Sequence, residues 1–154
     1  MVETPMKVSK QDLLTINRSI ETVHEMGTKI RKSLQEYSDE HTHDTAWEVQ
    51  AGVEALEVFG SRWTIEILAA LYVAGERRFN ELRHLLNGIS SRTLSDKLRK
   101  CTDSGLIERM VVDGPPVRVS YKLTEHGMIC GRLLGPLVAY MKIRNGALEE
   151  MSEQ

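Results

Sequence analysis

The stretch RFNELRHLLNGISSRTLSDKLRK, Arg78 to Lys100, limits what this chain can fold into more than any other part of it. It holds two short amphipathic segments, Glu81 to Leu86 and Ser91 to Lys100, on either side of Asn87-Gly88-Ile89. Gly88 can take a positive φ there without steric cost, so the three residues read as a tight turn between helices. In the second segment Leu94, Leu98 and Cys101 recur at i, i+4 and i+7 and share one inward face, leaving Arg92, Ser95, Asp96 and Arg99 on the other. Ser90 is placed to cap this helix, and Asn80 is the matching cap for the first segment. Two helices, a turn and a polar outer face make a helix-turn-helix.

The surrounding chain is long enough to bury a core around it. Its 154 residues fit one ordinary domain with an appendage. No apolar run is long enough to span a bilayer, and the N-terminus lacks the apolar run of a signal peptide, so a cytoplasmic protein without membrane contact is expected. Cys101 and Cys130 are far apart and form no CxxC pair, which speaks against a zinc site or a disulfide framework. The net charge of −2 hides a strong asymmetry. Arg77 to Lys122 holds ten Lys/Arg against five Asp/Glu, whereas Met1 to Gly60 holds six against eleven. A basic middle beside an acidic arm suits a nucleic-acid surface, although a solvated charged face gives the same count.

N-terminal to the motif, Leu13, Ile16, Ile20, Val23, Gly27, Ile30 and Leu34 recur at three- and four-residue spacings. They predict one long helix, Lys10 to Tyr37, started at Ser9. So narrow a stripe fits packing against a symmetry mate, or an ordinary amphipathic helix lying on its own domain. Ser38 to Thr45 is a polar linker whose His41 and His43 lack accompanying Cys or carboxylate ligands, so no metal is expected. Ala46 to Phe59 predicts a helix with Trp47, Val53, Leu56 and Phe59 inward and Asp44 or Thr45 as cap. A further helix, Arg62 to Val73, is capped by Ser61, ended by Gly75 and turned inward through Trp63, Ile67, Leu68 and Leu71.

C-terminal to the motif, Leu106 to Val112 reads as a strand and Asp113-Gly114-Pro115-Pro116 as a turn. On the return, Val117, Val119, Tyr121 and Leu123 alternate with Arg118, Ser120 and Lys122, which predicts apolar groups on the core and basic groups outside. Thr124 starts a last helix with Ile129, Leu133, Leu134, Leu137, Val138 and Met141 on one broad face, kinked or restarted near Pro136. Asn145-Gly146 ends it, leaving an acidic tail expected to fray. The fold class is mainly α with a small β-hairpin wing, a winged helix-turn-helix.

Four ordered blocks, GSRWTIEIL, RRFNELRHLLNGISSRTLSDKLR, SGLIER and PPVRVSYKLTEHG, resemble the HxlR-type winged helix-turn-helix transcriptional regulators across Val53 to Met141. With that resemblance the chain divides into a dimerisation helix and linker (1–45), the HxlR-type domain (46–146) and the tail (147–154). The resemblance implies a homodimeric regulator whose terminal helices form the dimer interface. Many such proteins sense electrophiles through a cysteine shortly before the GxxW block, where this chain has Gln50, Ala51 and Gly52. It also departs from the family pattern at Asn87, usually proline, and at Cys101, usually aliphatic.

The expected function is sequence-specific binding of double-stranded DNA as a homodimer on a palindrome. Ser91, Arg92, Thr93 and Ser95 are the candidates for base edges and nearby phosphates, with Arg92 suited to a bidentate contact to guanine. Lys97, Arg99 and Lys100 are candidates for phosphate, bracketed by Arg77, Arg78 and Asn80 before the motif, Ser90 at its turn, and Arg118 and Lys122 on the wing. Against this stands a face merely solvated, with Asp96 paired to Arg92, Arg99 or Lys100. Leu13, Ile16, Ile20, Val23, Ile30, Leu34, Leu134, Leu137 and Met141 are the dimerisation candidates. Alternatives are a thiol- or ligand-responsive regulator of the same family, with Cys101 or Cys130 as the thiol or an unknown small molecule as effector, and a winged protein-interaction module. GxGxxG, P-loop, HExxH and GxSxG motifs are absent from the sequence, so neither an enzyme nor a cofactor is expected.

Overall fold

A computed structural model describes residues 4–38 and 45–152. His41, His43 and Asp44 lie outside the described residues. The elements run β1 (Met6–Val8), α1 (Lys10–Ser38), α2 (Thr45–Glu57), α3 (Arg62–Ala74), β2 (Arg77–Arg78), α4 (Phe79–Leu85), α5 (Ser91–Asp103), β3 (Ile107–Val112), β4 (Arg118–Leu123), α6 (Glu125–Arg144) and β5 (Leu148–Glu150). Backbone contacts divide them into two units. One holds β1, α1, the part of α6 from Arg132, and β5; the other is Glu48–Gly131.

The Glu48–Gly131 unit is built on a core of Ile67, Leu71, Leu82, Leu86, Ile89, Leu94, Leu98, Cys101, Leu106 and Ile107. These residues come from the inward stripes of α3, α4 and α5, from the turn between the last two, and from the entry to β3. Val58, Phe59, Trp63, Leu68, Tyr121 and Leu123 pack around them. Burial of these apolar side chains is the main force holding the three helices together. β3 and β4 form the antiparallel hairpin, and β2 joins β4 on its other edge to make a three-stranded sheet ordered β2-β4-β3. Thr124 fastens this sheet to α6. Its Oγ1 accepts from the Gly127 amide at 3.0 Å and donates to the Gly105 carbonyl at 2.6 Å, while its own amide donates to the Leu106 carbonyl at 3.1 Å.

In the other unit, Ser9 starts α1 as its spacing predicts, with Oγ accepting from the Asp12 amide at 3.0 Å. Gly146 ends α6 at φ +69°, and the Ala147 amide reaches back to the Lys142 carbonyl in a Schellman-type closure.

Several local expectations need correction. In the segment after Gly146, Leu148–Glu150 is not frayed but pairs in parallel with Met6–Val8, and Lys7 Nζ lies 2.5 Å from Glu149 Oε2. α6 runs unbroken through Pro136. A proline removes one backbone hydrogen bond, and the turns on both sides keep theirs. Trp47, Val53 and Leu56 are at least half exposed, and it is the turn that follows α2, through Val58 and Phe59, that packs against the core. Val117 is also exposed, since β4 begins one residue later and the chain is still leaving the turn. The α4 cap is Arg78 rather than Asn80: the Glu81 carboxylate accepts from the Arg78 amide at 2.7 Å, two residues before the expected start.

Candidate nucleic-acid interface

α5 is held from behind and open in front. Leu94, Leu98 and Cys101 are essentially sealed, at 0%, 2% and 1% exposure. At about 100° per residue, Arg92, Asp96, Arg99 and Lys100 stand opposite this stripe, and Thr93 and Lys97 lie on its flank, where they are half-buried. Ser90 Oγ accepts from the Thr93 amide at 3.1 Å, which pins the first turn. Gly88 takes φ +88° and turns the chain from α4 into α5. The outer face is therefore carried by a helix fixed at its start and along its buried side.

Asp96 makes no ion pair within 4.0 Å among the described residues, so Arg92, Arg99 and Lys100 are not neutralised by it. Beside them, Arg83 on α4 donates from Nη1 to Ser91 Oγ at 2.8 Å. Arg83 was not among the residues singled out by sequence. It lies within the motif, but its approach to Ser91 depends on how the turn folds α4 back along α5. Asn80 is exposed in the first turn of α4, and its backbone carbonyl lies 2.9 Å from His84 Nδ1.

The sheet separates the two arginines that precede the motif. Register places Arg78 opposite Ser120, on the face of Arg118 and Lys122, and Arg77 opposite Tyr121, on the face turned to the core. Arg77 is half-buried there, and its Nη1 donates to the Glu76 carbonyl at 2.7 Å. On the outer face Lys122 Nζ lies 3.0 Å from Glu108 Oε1, its cross-strand neighbour, so part of its charge is spent within the wing. Ser120 donates to the Glu76 carboxylate. Arg118 at the tip and Arg78 at the edge remain exposed and without an ion pair among the described residues. Arg109, exposed on β3, adds a cation that the sequence reading passed over.

Cys101 forms part of the wall behind α5. Burial pushes its thiol up to about 11, partly offset by the positive charge of Lys97. It behaves as a small apolar residue. Cys130 is half-buried, with Sγ 4.0 Å from His126 Nδ1. Among the described residues no group of three or more His, Cys, Asp or Glu side chains gathers as a metal site, and no helix is long and apolar enough to cross a membrane.

The dimerisation candidates divide by position. Leu13, Ile16 and Ile20 on α1 and Leu134 on α6 are half-buried. Val23, Ile30, Leu34, Leu137 and Met141 are exposed at 43% to 60%.

Comparison with known proteins matches this architecture. The family model for the HxlR-like helix-turn-helix covers residues 58–146. YtcD of Bacillus subtilis, an HTH-type transcriptional regulator, is 37% identical over 89 residues, which is 57% of this chain and 70% of that protein. A solved MarR-family transcriptional regulator from Enterococcus faecalis superposes with a TM-score of 0.58 at 28% identity, over 68% of this chain and 92% of that one. The reduced form of the transcriptional regulator YodB from B. subtilis gives 0.54 at 27% identity, over 66% and 93%. The chain therefore belongs to the HxlR-like helix-turn-helix family and is a transcriptional regulator of the winged helix-turn-helix type.

Proposed function

We propose that the protein binds double-stranded DNA sequence-specifically as a homodimer on a palindromic operator, with α5 in the major groove and the wing beside it. The observation that carries this reading is the exposed outer face of α5, where Arg92, Arg99 and Lys100 have no intramolecular ion pair among the described residues while the leucines behind them are sealed. A major groove admits one α-helix and offers base-edge acceptors that suit Arg92, with phosphates on either side for Lys97, Arg99, Lys100 and Arg118. Ser91, Thr93 and Ser95 supply shorter donors near the same end. Arg78 and Lys122 add phosphate contacts from the sheet, with Lys122 contributing less because of Glu108.

The homodimer draws support from the exposed Val23 and Ile30 on α1 and from Leu137 and Met141 on α6, apolar groups that a second copy can cover. Two recognition helices about 34–36 Å apart, or a multiple of that, would meet successive half-sites. Selection of bound sequences from a random duplex pool tests operator, symmetry and spacing together. A palindrome is the expected result, and no enrichment at low salt would reject the reading.

A thiol-responsive form of this function is the alternative. YodB has been solved reduced, diamide-treated and quinone-bound. In this chain such a response would have to run through Cys101 or Cys130, and the buried, protonated Cys101 is poorly suited to it. Duplex affinity unchanged by diamide would dispose of the alternative.

A further inference from the structure

The first residue of α5 makes a contact whose direction is fixed by the chemistry of its partner. Arg83 Nη1 lies 2.8 Å from Ser91 Oγ, across the turn that folds α4 back along α5. A guanidinium carries N–H donors and no acceptor, so Arg83 donates and a lone pair of the Ser91 oxygen accepts. The hydroxyl proton of Ser91 is left over from this bond and points away from Arg83. Ser91 is exposed, and its proton meets no acceptor among the described residues. The neighbouring hydroxyls are placed differently. Ser90 Oγ and Thr93 Oγ1 are bonded to each other at 2.8 Å, and Ser90 Oγ also accepts from the Thr93 amide at 3.1 Å. Arg83 is itself exposed and has no ion pair among the described residues, so no carboxylate draws its guanidinium away from Ser91.

We propose that Arg83 is a positioning residue that sets base preference through Ser91, holding the hydroxyl as a donor to an acceptor on a base edge. The proposal rests on α5 lying in the major groove. Residues at the start of a recognition helix reach the base edges, where purine N7, guanine O6 and thymine O4 accept while adenine N6 and cytosine N4 donate. A free serine hydroxyl answers both kinds of group, since it carries a proton and lone pairs. With a cation bonded to one lone pair, the oxygen becomes a poorer acceptor and the O–H a stronger donor. Such a bond is weak while water surrounds it, and it strengthens when a duplex covers the face and excludes water.

Selection from a random duplex pool is run in parallel on the wild type, Arg83→Met, Ser91→Ala and the double variant. Affinities are then measured on the wild-type sequence and on a random duplex. Both single variants should lose preference at the same position of each half-site, and each should weaken the selected duplex about tenfold more than the random one. The double variant should lose no more than about twofold beyond either single variant, because the two residues act as one unit. Urea midpoints of Arg83→Met and the wild type should agree, since both partners of the contact are exposed. An unchanged preferred sequence in Arg83→Met, with equal losses on all duplexes, would make Arg83 a plain phosphate contact and overturn the proposal. Relaxation at a position that Ser91→Ala leaves intact would overturn it as well, because Arg83 would then read the base itself. A lowered urea midpoint with the preferred sequence retained would reduce Arg83 to a brace of the fold, with the same consequence. Failure of the wild type to enrich any sequence would instead reject the operator reading, and this proposal with it.

Discussion

Replacing Gly127 by alanine probes the joint between wing and last helix. A Cβ built at Gly127 would lie 2.1 Å from the Leu106 carbonyl oxygen, 3.1 Å from its carbon and 3.2 Å from Leu123 Cδ2. Leu106 is 2% exposed and enters β3, so the obstacle is sealed backbone rather than the end of a flexible side chain. Reaching an ordinary contact distance requires the start of α6 to move away from Leu106 by roughly 1 Å. That shift would stretch the Thr124 amide to Leu106 carbonyl bond and the Thr124 hydroxyl to Gly105 carbonyl bond. Overpacking of this kind costs about 1–3 kcal/mol, and weakening two hydrogen bonds adds about 0.5–1.5 kcal/mol each, so roughly 3–4 kcal/mol is expected. Urea unfolding followed by tryptophan fluorescence, at one protein concentration because the stability of the proposed dimer depends on it, should show a midpoint lower by about 1–2 M. Gly52→Ala is the matched control, since nothing lies within 4 Å of its Cβ and α2 should gain up to about 1 kcal/mol. A Gly127→Ala midpoint at or above that of the wild type would refute the argument that this contact sets the spacing of wing and helix.

Arg92→Ala should weaken specific DNA binding by about 1–3 kcal/mol and relax sequence preference, whereas Arg118→Ala should weaken all duplexes alike and flatten the salt slope. Equal losses on specific and random DNA for Arg92→Ala would reject its base-reading role. Ser90→Ala, which removes the acceptor for the Thr93 amide, should cost about 0.5–2 kcal/mol of stability by urea unfolding, and an unchanged midpoint would count against the cap. The Cys101 thiol is raised from its ordinary value of 9.0 to about 11, so the folded state holds its proton more tightly than the unfolded state. Its contribution to stability is complete below pH 9 and is lost as pH rises towards about 11; Cys101→Ala should lack that part of the alkaline decline. Ile30→Asp, at a position 60% exposed in the chain, should give a monomer by light scattering at micromolar concentration, and an unchanged mass would remove Ile30 from the interface.

The helix-turn-helix was legible from sequence because everything that defines it is local. The stripe of Leu94, Leu98 and Cys101, the positive φ of Gly88, the Ser90 cap and the Thr124 start each depend on neighbours within about two helical turns. The alternation of β4 carried the hairpin in the same way.

What spacing along the chain left open depends on which distant surface comes to lie against a given side chain. The parallel pairing of Met6–Val8 with Leu148–Glu150 joins the two ends of the sequence, and neither short strand carries a pattern that names its partner. The pleat of β2 separates Arg77 from Arg78, a distinction invisible until β4 supplies the register. Trp47, Val53 and Leu56 are spaced as an inward stripe yet stay exposed, because periodicity says that residues share a face and not whether anything covers it. Thr64 looks in sequence like any helical threonine. Only the packing of α5 across the start of α3 buries it beside two lysines, since burial is a property of the assembled surfaces and not of the residue.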